Sequence, residues 1–176
     1  MRTAVFQMEH NKAPGPDGFP PEFYQVFWDL VKEELMATFT ELHVGTLPLN
    51  SLNFGTIILL PKNKDAKTIQ QYRPICLFNV SFKIFTKVAT NRLSSVAHKI
   101  IRPTQTAFLP GRNIMEGAVI LHEKLHELHS KKQDGLIFKI DFEKAYDRVK
   151  WSFLQQTLRM KGFSQKWCSW IQQFTQ

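Results

Sequence analysis

Apolar residues recur at helical spacing along most of the chain. Phe23, Phe27, Leu30, Val31, Leu35 and Leu42 follow a period near 3.6 behind Pro20 and Pro21, two residues suited to a first helical turn. They predict a helix from about Pro21 to His43 that ends near Gly45. Ahead of it, Lys12-Ala-Pro-Gly-Pro-Asp-Gly18 is dense in turn residues and reads as a loop. Phe54–Leu60 is short, partly β-branched and bounded by Pro61, which predicts a strand. Polar, basic residues 62–71 predict a hairpin loop, and Tyr72–Leu77 the returning strand, with Pro74 favouring an edge or an end.

A second helix is predicted from about Phe82 to Ile100. Phe85, Val88, Ala89, Val96 and Ile100 share a face, Lys83, Lys87 and Lys99 lie elsewhere, and Pro103 follows. Gln105–Arg112 reads as a loop. Ile114, Ala118, Leu121, Leu125 and Leu128 then form a helical stripe. After a turn over Lys131–Gly135, Leu136–Phe142 predicts a strand. Asp147 is a candidate N-cap for a helix running to Gly162, and a last helix carries Trp167, Trp170, Ile171 and Phe174 on one face. The order α-β-β-α-α-β-α-α defines an α+β chain that is helix-rich, with few strands.

Charge sharpens this picture. The net charge is +8 and is unevenly spread. Residues 1–60 hold three basic groups against seven acidic ones, residues 61–113 ten against one, and residues 114–176 ten against seven. A basic block of this kind attracts polyanions such as nucleic acid, nucleotides or an anionic surface. The longest apolar runs are far below the roughly 18 residues of a membrane span, and the first residues lack a signal peptide's apolar stretch. Two cysteines, Cys76 and Cys168, make no disulfide framework. The expectation is an intracellular protein, nuclear or cytoplasmic, with no membrane partner and both cysteines acting as small hydrophobes.

Three constellations could carry chemistry. Phe138-Lys-Ile-Asp141-Phe-Glu-Lys-Ala-Tyr146-Asp147 places a carboxylate at the end of a hydrophobic strand, and carboxylate oxygens are the usual protein ligands of Mg²⁺. The bland alternative is that Asp141 merely ends the strand, although an apolar strand is an odd place to put a charge, and that Asp147 caps the next helix, the reading favoured for Asp147. Lys62 and Arg73 flank the hairpin loop and could grip a triphosphate, one as a point charge and the other as a fork; they could also be two surface cations. His122-Glu123-Lys-Leu-His126 fits the zinc-protease pattern H-E-x-x-H. Against that reading, Lys124 charges the motif, no third ligand is evident, and Leu121, Leu125 and Leu128 explain the helix without a metal.

Read in order, these segments resemble a known family. Lys12-Ala-Pro-Gly-Pro-Asp-Gly-Phe-Pro20, Ile58-Leu-Leu-Pro-Lys62, Tyr72-Arg-Pro-Ile-Cys-Leu77, Lys83 through Leu93, Gln105-Thr-Ala-Phe-Leu-Pro-Gly-Arg-Asn113 and Phe138 through Trp151 resemble the reverse transcriptase of non-LTR (LINE-type) retrotransposons, most closely those of plants. The resemblance spans nearly the whole chain. It implies an RNA-directed DNA polymerase with right-hand architecture, whose partners are an RNA template, a DNA primer and dNTP. By the same resemblance Asp141 is the first catalytic aspartate and a ligand of two Mg²⁺ ions, with the Phe142 carbonyl as a further ligand. Tyr146 is the ring that excludes a ribose 2′-OH. Lys62 and Arg73 neutralise the incoming triphosphate, and Gln105 and Arg112 lie near the template. Residues 1–135 would be fingers-like, and 136–176 the start of the palm.

The sequence also departs from the family. No two of its aspartates, at 17, 29, 65, 134, 141 and 147, are adjacent, so the later palm motif with Ala-Asp-Asp is absent, as are a thumb and an endonuclease. Glu116 stands where aspartate is usual. The expectation is a fragment or degenerate copy, inactive on its own because one carboxylate cannot hold two metal ions about 4 Å apart. The second reading is an RNA-binding remnant without catalysis; the third is the zinc protease.

Overall fold

The computed structural model describes residues 1–49, 52–140 and 148–175, in two compact units: Met1–Asn91 with Ser169–Gln176, and Arg92–Cys168. The described residues are helix-rich with one two-stranded antiparallel sheet, the class the sequence predicts.

The first unit holds α1 (Arg2–Phe6), α2 (Pro21–Val26), α3 (Trp28–Val44), β1 (Gly55–Pro61), β2 (Tyr72–Phe78), the N-terminal half of α4 (Val80–Ile100) and the end of α7 (Gln165–Thr175). Pro21 opens α2 at a position where its missing N–H has no intrahelical partner to lose. The single helix expected from Pro21 to His43 is two, interrupted at Phe27 (φ −95°, ψ 23°). The break has a packing cause. Gln25 Nε2 donates to the Val5 and Met8 carbonyls, both at 3.0 Å, which ties α2 to α1, and Trp28 then meets Phe6 edge-on with centroids 6.3 Å apart. The cost is that Phe27 and Leu30, two members of the predicted stripe, face solvent, while Leu35 and Leu42 reach the core. Gly45 (φ 91°) closes α3 as expected.

The core gathers Val5, Tyr24, Leu35, Leu42, Val80, Phe82, Ile84 and Phe85. The N-terminal half of α4 is therefore buried on more than the one predicted face, because α1 and α3 contribute to the same cluster as Phe174 of α7. Tyr24 is buried, and that burial raises its phenol above 10, with the nearby charge of Asp17 adding to the rise. A group with a raised folded pKa contributes stability below its unfolded value and loses it as pH climbs through the folded one. Urea unfolding of the wild type should therefore weaken more steeply above pH 10 than that of Tyr24→Phe; parallel pH profiles would refute this.

The second unit holds the rest of α4, a loop, α5 (Ile114–Ser130), α6 (Trp151–Met160) and the first turn of α7. Two expectations fail here. α5 forms, but its stripe does not meet a core: Ile114, Leu121 and Leu125 are all exposed. The strand expected over Leu136–Phe142 does not form across its described part, Leu136–Ile140, where Leu136, Phe138 and Ile140 are more than 70% exposed. A strand is defined by its ladder, and β1 and β2 pair only with each other, leaving no described neighbour for this segment. α6 starts from Lys150 as N-cap instead of Asp147, and Asp147 lies outside the described residues. No described helix is long and apolar enough to cross a membrane.

Candidate nucleotide site

The hairpin presents its two cations from adjoining positions. Arg73 is the register partner of Leu60, and the Lys62 N–H, two residues on, donates to the Gln71 carbonyl at 2.8 Å. The strand period of two puts Lys62 and Arg73 on one face, with Leu60, Ile58 and Ile75. The loop between them is ordered by its own polar groups. Gln71 Oε1 accepts the N–H groups of Lys67 (2.6 Å) and Thr68 (3.1 Å), Thr68 and Gln71 form a reciprocal capping box, and the Tyr72 hydroxyl donates to Ala66 at 3.1 Å. Lys62 Nζ donates to the Gln70 carbonyl at 2.7 Å, so its ammonium is held at the loop rim by one of its three hydrogens.

Under that face lies a cleft of about 840 Å³. Its floor is Ile58, Leu60 and Ile75, and its rim carries Lys12, Lys83 and Lys87. Glu9 is the one acid among the described lining residues; the Lys12 ammonium, 2.7 Å from its carboxylate, holds it below the usual range, with Lys87 adding a smaller pull. The Lys12–Gly18 loop is anchored at the root of the hairpin. Gly15 lies against the Phe78–Asn79 backbone, and Asp17 N–H donates to Asn79 Oδ1 at 3.2 Å. Sequence reasoning missed this latch, which joins residues 62 positions apart. It also missed α1 and the cleft, whose lysines fall in the sequence on an opening loop (Lys12) and off the apolar face of a helix (Lys83, Lys87).

Gln105 and Arg112 are brought together, though their polar groups serve the loop itself. Arg112 Nη1 donates to the carbonyls of Arg102 (2.7 Å) and Gln105 (2.6 Å), and Nη2 to that of Ile101 (3.1 Å). Three of five guanidinium hydrogens are thus spent on backbone at the end of α4. Gln105 Nε2 donates to Ala107 at 3.4 Å. Lysine offers no planar fork, so Arg112→Lys should destabilise nearly as much as Arg112→Ala, by about 2 kcal/mol. Urea unfolding of both variants tests it; full rescue by lysine would contradict the clamp.

Asp141, Phe142 and Tyr146 lie outside the described residues. His122 and His126 sit on exposed α5, and among the described residues no three His, Cys, Asp or Glu side chains cluster to hold a metal. The H-E-x-x-H pattern therefore finds no third ligand there. Cys76 and Cys168 are both free, Cys168 fully buried.

A lysine–arginine hairpin beside a cleft rimmed by lysines, in a helix-rich chain, is an arrangement whose charge suits an anion. Residues 60–176 match the family described as reverse transcriptase (RNA-dependent DNA polymerase), and the chain belongs to that family. Over 172 residues, 97% of the chain, it is 34% identical to the Transposon TX1 uncharacterized 149 kDa protein of Xenopus laevis. Over 92% of the chain it is 26% identical to the retrovirus-related Pol polyprotein from type-2 retrotransposable element R2DM of Drosophila melanogaster, and over 85% it is 25% identical to that from type-1 retrotransposable element R2 of Nasonia vitripennis. These relatives bear out the resemblance to non-LTR retrotransposon reverse transcriptases. The chain spans only 13–15% of their length. Reverse transcriptases use divalent metal ions as a family.

Proposed function

We propose that the chain is the fingers and the beginning of the palm of a retrotransposon's RNA-directed DNA polymerase, which extends a DNA primer on an RNA template with dNTP. The observation that carries this reading is the hairpin: two cations on one face of a rigid ladder, inside a segment matched to the reverse transcriptase family. Lys62 and Arg73 would take the triphosphate, where Arg offers a fork and Lys a point charge. Their work is positioning and charge neutralisation, which carry most of phosphoryl-transfer catalysis. Gln105 and Arg112 would border the template, Arg112 chiefly by holding the loop in shape. Mg²⁺ is the hard cation that Asp141 and the Phe142 carbonyl would suit by donor type. It would stabilise charge at the reacting phosphate when bound.

Primer extension tests the reading. The polyprotein containing this segment should extend a primer on RNA, and Asp141→Ala should abolish extension. The 176-residue chain alone should extend nothing, having a single candidate carboxylate for the ions. Extension that survives Asp141→Ala would overturn the assignment. Salt-dependent RNA binding without extension in the polyprotein would favour the non-catalytic remnant.

A further inference from the structure

The second unit carries a groove of about 440 Å³ that the polymerase reading does not use. One wall is α4 from Arg92 to Ile100, and the other is the turn from Lys161 to Trp167 that joins α6 to α7. That turn is closely specified. The Gly162 N–H donates to Arg159 at 3.0 Å and the Phe163 N–H to Leu158 at 3.1 Å, the pair of bonds that ends a helix when the next residue is left-handed. Gly162 supplies that residue, with φ 81°. Ser164 Oγ then accepts the Trp167 N–H at 3.3 Å at the start of α7. The result is an aromatic pair at the groove: Phe163 and Trp167 stack with centroids 5.8 Å apart and planes 22° from parallel, both half-buried.

Charge says what such a pair would meet. Among the described residues none that lines the groove is acidic, while Arg92 and Lys161 line opposite walls. Both walls come from stretches without any acid: there is no Asp or Glu from Ala66 to Met115, nor from Arg148 to Gln176. We propose that this groove binds single-stranded nucleic acid, an unstacked base lying on the Phe163–Trp167 pair while Lys161 approaches a flanking phosphate. Paired duplex keeps its base faces covered, whereas aromatic platforms beside a positive groove take unstacked bases with little regard to sequence. The inference stands apart from the polymerase reading and would hold in a chain that copies nothing.

Cross-linking the purified chain to a short 4-thiouridine-substituted RNA tests it. Trypsin cleaves after Lys161 and Lys166, so adducts are expected on Gly162–Lys166 and Trp167–Gln176. Lys161→Glu, at an exposed position, should weaken binding about tenfold and lower the salt slope by about one, with the unfolding midpoint unchanged. Trp167→Phe keeps a ring on the platform and should bind within about threefold of wild type, and Trp167→Ala should lose about tenfold or more. Duplex RNA of equal length should compete poorly. Adducts confined to other peptides, or Lys161→Glu binding within about twofold of wild type, would overturn the proposal. So would a preference of the groove for an acidic peptide over RNA. If Trp167→Ala does not fold, Lys161→Glu and the adduct map decide the question.

Discussion

Gly15→Ala should cost about 3 kcal/mol of unfolding free energy, the upper end of what an added methyl group does in a packed site. A Cβ at Gly15 would sit 2.4 Å from the Asn79 nitrogen, 2.5 Å from the Phe78 carbonyl carbon and 2.6 Å from the Asn79 Cα. All three are backbone atoms at the junction of β2 and α4, so no side chain can swing aside. Relief requires the Lys12–Gly18 loop to lift, which breaks the Asp17 N–H bond to Asn79 and draws Lys12 away from the cleft. Gly18→Ala is the internal control. It has a left-handed φ of 76° but open space around it, so it should cost about 1 kcal/mol, the ordinary penalty of that conformation. Urea unfolding of the two variants separates steric from conformational cost. Equal losses would mean that the loop does not pack on the hairpin root.

How much of this could be read in advance depended on whether the signal was local. β1 and β2 emerged within one residue of expectation, since Pro61 and Gly55 bound one and the loop composition fixes the turn. α4, α5 and α7 emerged because each carries a periodic stripe. The break at Phe27 was illegible, because it depends on Gln25 finding the carbonyls of Val5 in α1 and Met8 just beyond it, 20 and 17 residues away. The exposure of α5 was illegible for a different reason: a stripe states that a face is apolar, not that this stretch of chain supplies its cover. The same applies to Leu136–Ile140, whose apolar run is strand-like but whose ladder needs a second strand. At the site, Lys62 and Arg73 were legible from their places beside the loop. The spending of Arg112 on carbonyls was not, since a cation beside a basic loop reads the same whether it faces a phosphate or its own backbone.

The chain's exposed apolar residues bear on its behaviour when isolated. Leu136, Phe138, Ile140, Ile114 and Met115 are all exposed in the second unit. Exposed apolar side chains and a strand-like segment with no described ladder partner favour association. The isolated chain should bind a hydrophobic dye and elute as more than one species, and Phe138→Lys with Ile140→Lys should reduce both effects. A monodisperse, dye-negative wild type would contradict this.

Phe85→Ala should be the most damaging side-chain truncation in the first unit, at about 4 kcal/mol. Phe85 is 1% exposed, and its ring meets Phe39 with centroids 5.7 Å apart. Phe39 meets Trp170 edge-on at 5.9 Å, and Trp170 meets His43 at 5.1 Å. A cavity at Phe85 therefore loosens the contact between α3 and the end of α7 as well as the packing of α4. α4 is two-sided at this point: Ile84, Phe85 and Val88 are buried, while Lys83 and Lys87 line the cleft. Losing the buried side frees the charged side to drift, so RNA or nucleotide affinity at the cleft should fall along with stability. Phe85→Leu keeps most of the volume and should cost about 1 kcal/mol. Trp170 fluorescence during urea unfolding reads the difference, because its ring sits on the same chain of contacts. An alanine variant that unfolds within about 1 kcal/mol of wild type would mean that Phe85 is not the keystone of that packing.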